Sequence, residues 1–157
     1  MPELSDLINE RTILVRADAE DDRDVIRSLA AALHQEGHVT PGFADAAIAR
    51  ESTSPTGLSL GDDVLGAAIP HAEREFVLRP SVAIATLARP VSFARMDEPE
   101  SRVDVGLVLM PALPDSASQV ETLRAVGTLL QDPALITDLA EASSAAEILA
   151  LLRSRLS

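Results

Sequence analysis

His71 is the residue of this sequence best placed for covalent chemistry. It ends the run Gly66-Ala67-Ala68-Ile69-Pro70-His71, in which Ala67, Ala68 and Ile69 read as a buried strand. Pro70 stops the ladder because it has no N–H and a fixed φ. The imidazole is thereby delivered at the mouth of a strand, in a defined direction. With an unperturbed pKa of about 6.5, neutral imidazole is a good nucleophile near pH 7 and needs no activating base to attack phosphorus. The plain alternative is a binding module in which His71 is only a packed strand-end histidine.

The rest of the composition narrows the chemistry. The chain has no cysteine, which excludes a disulfide frame, a thiolate metal site and a thiol nucleophile, so covalent chemistry falls to another side chain. No cofactor or metal is expected. All 13 basic residues are arginine, which leaves anion binding to Arg, hydroxyls and backbone N–H groups. Arg50 stands near the end of an expected helix, where it reads equally as a partner of the helix dipole or as an anion ligand. Gln119 completes Ser116-Ala117-Ser118-Gln119, which matches a capping box. His34 and His38 flank a helix terminus at Gly37 and read as surface residues.

These side chains need a frame, and the pattern supplies one. Residues 12–17 alternate as a first strand. An acidic stretch, 18–24, suits the first turn of a helix with Val25, Ile26, Leu29 and Leu33 on one face and Gly37 as its stop. Thr40-Pro41 reads as the start of a second helix running to about Arg50, with Phe43, Ala47 and Ile48 inward. Residues 52–66 are rich in Ser, Thr, Pro, Gly and Asp and read as a long structured loop whose Ser54, Thr56, Gly57 and Gly61 could sit beside His71. Residues 82–88 and 91–93 read as extended segments, and 103–110 is the most continuous apolar strand, expected at the centre of a sheet. Three helices follow. The first has Val120, Leu123 and Leu130 inward; the second is opened by Asp132-Pro133. The third is opened by Ser144-Ala145-Ala146-Glu147, with Ile148, Leu149, Leu152 and Leu156 inward. Strands interleaved with helices imply an α/β fold: a single domain over residues 1–157 with a mixed sheet flanked by helices on both faces.

At 157 residues and 46% hydrophobic content the chain can bury a full core, and with 2% aromatics that core is aliphatic. A net charge of −12 argues against a nucleic-acid backbone as partner. No signal peptide and no apolar run near the roughly 18 residues that span a bilayer are seen, so a cytoplasmic chain without membrane insertion is expected.

Ala49-Arg50-Glu51, Pro55-Thr56-Gly57-Leu58, Ala68-Ile69-Pro70-His71, Pro90-Val91 with Phe93 and Met96-Asp97, the 103–110 strand and the leucine-rich helix ending at Gln131-Asp132 recur in this order. As a set they resemble the fructose, mannitol and galactitol group of IIA domains of the bacterial phosphoenolpyruvate-dependent sugar phosphotransferase system. The resemblance implies a phosphotransferase acting as a transient phosphohistidine carrier. Phosphate would arrive from phospho-HPr, rest on His71 and leave to a cysteine of a IIB component. It implies a phosphate-binding role for Arg50. Gln119 stands where many fructose- and mannitol-type members carry a second histidine, and with Ser54-Pro55-Thr56-Gly57 it resembles the galactitol-like branch, implying galactitol or a related polyol or pentitol. The alternative is a nitrogen-type regulatory IIA protein that signals by phosphorylation-dependent partner binding.

Overall fold

The structure, a computed structural model, describes residues 4–61 and 63–156. Its strands are β1 (Ile13–Ala17), β2 (Gly57–Leu58), β3 (Gly66–Ala68), β4 (Ser81–Ala94) and β5 (Arg102–Ala112). They form one sheet in the order β1-β4-β5-β3-β2. The sheet is mixed: β1 runs parallel to β4 and β3 parallel to β5, while β4–β5 and β2–β3 are antiparallel. The apolar run expected at the centre is there. β5 is the middle strand, with Val105, Leu107, Val108, Leu109 and Met110 all buried, as a strand covered on both faces requires.

Five helices cover the sheet: α1 (Asp22–Gln35), α2 (Phe43–Thr53), α3 (Ser116–Leu129), α4 (Pro133–Glu141) and α5 (Ala145–Leu156). Alternation along β4 divides the core. Val82 and Ile84 pack with α3, α4 and α5 and with the N-terminal turn at Leu4–Leu7. Ala83 and Ala85 face α1 and α2. The expected α/β architecture with helices on both faces is therefore present. Ile26, Leu29 and Leu33 of α1 are essentially inaccessible, and at about 1.5–3 kcal/mol for each such side chain this burial outweighs helix propensities of tenths of a kcal/mol. Asp21 caps α1 by accepting from the Asp24 N–H, and Gly37 leaves it with φ 77°, the left-handed exit that glycine adopts without penalty. Among the described residues no helix is long and apolar enough to cross a membrane.

Several local expectations need correction. Thr40 does not cap α2: its N–H donates to the Phe76 carbonyl at 2.9 Å, next to a bridge between Val39 and Val77. With Thr40 drawn into tertiary pairing, the helix starts at Phe43 behind Gly42, which offers no side-chain cap. The loop over 52–66 contains the end of α2 and the two-residue strand β2, paired Gly57 with Ala68 and Leu58 with Ala67. Glycine is needed in this pair. A Cβ on Gly66 would collide with the Leu58 carbonyl, and one on Gly57 would lie 2.5 Å from that of Ala94. Residues 82–88 and 91–93 belong to one strand whose register shifts between Thr86 and Val91, so the exposed Arg89-Pro90 sits at an irregularity where proline costs no ladder bond.

The third helix begins one residue away from the expected cap. Asp115, not Ser116, caps α3, its carboxylate accepting from the Ser118 N–H at 2.7 Å. Gln119 therefore lies beyond the capping position. Val120 is 55% exposed, because the buried stripe runs through Thr122, Val126 and Leu129, and a buried threonine is not visible in a hydrophobic pattern. The caps of α4 and α5 follow the sequence: Asp132 accepts from Leu135 N–H and Ser144 from Glu147 N–H. Ile148, Leu149 and Leu152 are buried, while the side chain of Leu156 lies outside the described ones.

Candidate functional site

β3 ends at Ala68, Ile69 and Pro70 continue it, and His71 emerges half-buried beyond the carboxyl end of the strand. Its Nδ1 is 2.9 Å from the Ile69 carbonyl oxygen. A carbonyl can only accept, so Nδ1 carries the proton, and in the neutral ring Nε2 keeps its lone pair. Burial holds the imidazole pKa below the ordinary value. The Ile69 carbonyl opposes this by favouring the proton, the Arg50 guanidinium lowers the pKa further, and Glu73 raises it. The net result is a neutral ring with one basic nitrogen, the form in which imidazole is a nucleophile.

A pH dependence follows with a definite sign. Since the folded pKa lies below the usual 6.5, the lone pair is kept to a lower pH than in an unperturbed imidazole. An NMR titration of the ring C–H signals is expected to place the His71 midpoint below about 6.5; a midpoint at or above that value contradicts the assigned burial. The same shift penalises the folded state in acid, where the unfolded chain takes up the proton more readily.

Arg50 reaches this histidine from the last turn of α2. Its Nη1 donates to Glu73 Oε1 at 2.8 Å, and its charge acts on the His71 ring. Its Nε is buried and has no hydrogen-bond partner among the described residues, so the guanidinium whose charge reaches the His71 ring keeps an unused donor. Arg50 and His71 are thus brought together, with Glu73, which no motif singled out, as a third member.

Gln119 is half-buried near the start of α3, and among the described residues its side chain makes no hydrogen bond. Arg74, three residues after His71, lies close enough to Asp115 for its charge to act on that carboxylate. This links the start of α3 to the segment leaving His71, but no hydrogen bond joins Gln119 to the imidazole. His34 is exposed as expected, whereas His38 is not a free surface residue: it is half-buried, with Nδ1 unpartnered among the described residues. Burial, then the charge of Arg79, lowers its pKa. Its carbonyl accepts from Leu78 N–H at 2.7 Å and Arg79 N–H at 3.1 Å, which makes His38 part of a seam holding the 76–79 segment.

Of the hydroxyls and glycines of the 52–66 stretch, Thr56 is tied to the imidazole, through the backbone of Ile69. The buried Glu51 carboxylate accepts from Thr56 N–H at 2.8 Å and from Thr56 Oγ1 at 2.7 Å, and that hydroxyl accepts from Ile69 N–H at 3.1 Å. Burial pushes the Glu51 pKa up, and the two Thr56 bonds counter the rise. Thr56 is expected near His71 from its place in the loop, whereas nothing in the motif Ala49-Arg50-Glu51 points to a contact for Glu51.

The sequence matches the family described as "Phosphoenolpyruvate-dependent sugar phosphotransferase system, EIIA 2" over residues 6–155. Among curated proteins it is similar to the PTS system 2-O-alpha-mannosyl-D-glycerate-specific EIIABC component of Escherichia coli (strain K12), at 28% identity over 157 residues, covering 97% of this chain and 23% of the relative. It is also similar to the transcriptional regulator ManR of Bacillus subtilis (strain 168), at 28% identity over 127 residues, covering 81% of this chain and 18% of the relative. The chain thus spans about a fifth of the length of these relatives. Among solved structures, the complex of enzyme IIA and phosphorylated enzyme IIB for mannitol from Escherichia coli aligns with a TM-score of 0.76 at 25% identity, covering 95% of this chain and all of the other.

Proposed function

The chain belongs to the EIIA 2 family of the phosphoenolpyruvate-dependent sugar phosphotransferase system, and from that premise we propose that His71 is its phosphoryl acceptor, loaded by phospho-HPr and unloaded by a IIB cysteine. The observation that carries this reading is the Nδ1–H bond to the Ile69 carbonyl, which leaves Nε2 basic in a ring on which the charge of Arg50 acts. In the proposed step the Nε2 lone pair forms a bond to phosphorus while the P–N bond of the donor phosphohistidine breaks, its electron pair returning to the donor ring. No proton leaves His71. The ring becomes cationic, and the Ile69 carbonyl stabilises it through Nδ1–H. A phosphoryl group in flight carries its charge on the equatorial oxygens, so donors aimed at those oxygens do most of the catalytic work. Arg50 supplies them. Unloading is the reverse polarity: a thiolate bonds to phosphorus, the P–N bond breaks, and the pair returns to Nε2.

The test is direct. Incubation with phosphoenolpyruvate, enzyme I and HPr is expected to add a single phosphoryl group, read by intact mass, which a cognate IIB component then removes. Loading without removal by any IIB would favour the regulatory IIA role. The proposed sugar is galactitol or a related polyol or pentitol. What supports this class is the resemblance of Gln119 and Ser54-Pro55-Thr56-Gly57 to the galactitol-like branch; a glutamine at that place donates to phosphate but cannot become a cation or shuttle a proton.

Gln119 is proposed as a neutral partner of the phosphoryl group. Gln119→Glu would set a carboxylate near a dianion, a repulsion on the order of 1–4 kcal/mol at intermediate dielectric. Because Asp115 holds the cap, the melting temperature should hardly change while phosphorylation falls at least about tenfold. Undiminished phosphorylation would put Gln119 outside the phosphoryl site.

A further inference from the structure

We propose that Glu51 and Thr56 are positioning residues for His71, fixing its nucleophilic tautomer through the backbone of Ile69. The inference rests on phosphoryl acceptance at His71 for its kinetic consequence, and on geometry alone for the tautomer. Ile69 lies beyond Ala68, the last paired residue of β3, and Pro70 after it has no N–H to anchor the chain. The Ile69 N–H is held instead by the Thr56 hydroxyl at 3.1 Å. A hydroxyl has one proton, and that of Thr56 is committed to Glu51 Oε1 at 2.7 Å, which turns a lone pair toward Ile69. The other carboxylate oxygen grips Thr56 N–H at 2.8 Å, so Thr56 is held at two points. All three residues are buried, with Glu51 7%, Thr56 3% and Ile69 6% exposed, so water does not compete freely for these bonds.

The consequence reaches the ring because Ile69 is bonded at both ends. Its N–H is fixed by Thr56, and its carbonyl accepts from His71 Nδ1. Fixing the first limits how far the second can swing. The tautomer with the proton on Nδ1 is the minor one in free histidine, so a neutral ring with a basic Nε2 has to be selected by its surroundings. Released, the ring would turn toward the tautomer protonated on Nε2, which has no lone pair where the phosphoryl group arrives.

The experiment uses the full chain with 15N-labelled histidine. Long-range 15N–1H spectra above the His71 titration distinguish protonated from unprotonated ring nitrogens, and phosphotransfer from phospho-HPr is timed in parallel. Wild type is expected to show a protonated Nδ1 and a basic Nε2. Thr56→Val should shift His71 toward the other tautomer and slow transfer at least about tenfold, with KM for phospho-HPr changed less than about twofold, as expected for a misplaced reacting atom. Thr56→Ser keeps the hydroxyl and should restore both readouts. Should Thr56→Val not fold because it strands the buried carboxylate, the double variant Glu51→Leu with Thr56→Val removes that charge and carries the same expectation. An unchanged tautomer in a folded variant overturns the proposal whether or not transfer is slowed. If wild type accepts no phosphoryl group while the tautomer still shifts, the phosphocarrier reading fails and the positioning role stands.

Discussion

Substituting His71 with glutamine is expected to abolish phosphorylation, leaving an intact mass identical before and after incubation with phosphoenolpyruvate, enzyme I and HPr. The wild-type chain should gain a phosphoryl group that is labile in acid and stable in base, the behaviour of a phosphoramidate and the opposite of a phosphoserine. The chain has three histidines, and the structure separates them. His34 is exposed on the last turn of α1, His38 is locked into the seam with 76–79, and His71 leaves the carboxyl end of β3 with Nδ1 on the Ile69 carbonyl and the charge of Arg50 acting on its ring. A variant with His34→Gln and His38→Gln together should therefore still be phosphorylated. Phosphorylation of the His71→Gln chain, or none of wild type with a cognate HPr, would defeat the phosphocarrier reading.

Arg50→Ala is expected to slow phosphoryl transfer by about ten- to a hundredfold, the equivalent of losing a charge-assisted bond of about 1.5–3 kcal/mol in the transition state. The fold should survive. The ion pair with Glu73 has side chains 35% and 56% exposed, and a pair this open contributes about 0–1 kcal/mol at most. The large kinetic effect and the small stability effect can be read separately, by stopped-flow transfer and by thermal melting. Arg50→Lys should recover only part of the rate, because an ammonium keeps the charge but not the planar fork that meets two oxygens together. Transfer within about twofold of wild type, well short of that energy, would confine Arg50 to the end of α2 and its pair with Glu73.

Those expectations combine residues of different legibility. His71 was readable because proline and an apolar run are local signals, and β5 because a doubly covered strand needs an unbroken apolar stretch. The helices of the carboxyl-terminal half were readable from aspartate, serine and proline at their starts. What could not be read depends on where the chain returns. Thr40 looks like a cap until its N–H is found on Phe76, and β2 is too short to carry a period. Asp115 and Ser116 are both good caps, and only geometry chooses between them. Glu51, Thr56 and Glu73 act on the site across five, thirteen and twenty-three positions of sequence, separations at which side-chain pattern carries no information about contact.

The seam that holds the chain after His71 bears on how other proteins would meet it. Thr40 N–H donates to Phe76 O, Leu78 and Arg79 N–H donate to His38 O, and the Arg79 guanidinium is bonded to the Glu36 and Gly37 carbonyls. The segment that follows the imidazole in the chain is therefore already ordered before anything docks on it. Ordering a side chain at an interface costs roughly 0.5–1.5 kcal/mol, and a loop costs more. A surface free of that cost can afford fewer favourable contacts for the same residence time. For a carrier proposed to meet a donor and an acceptor in turn, the gain is in turnover: two different proteins can be engaged through a small, preformed patch and released quickly, since neither complex must be tight to repay the loss of entropy on forming it.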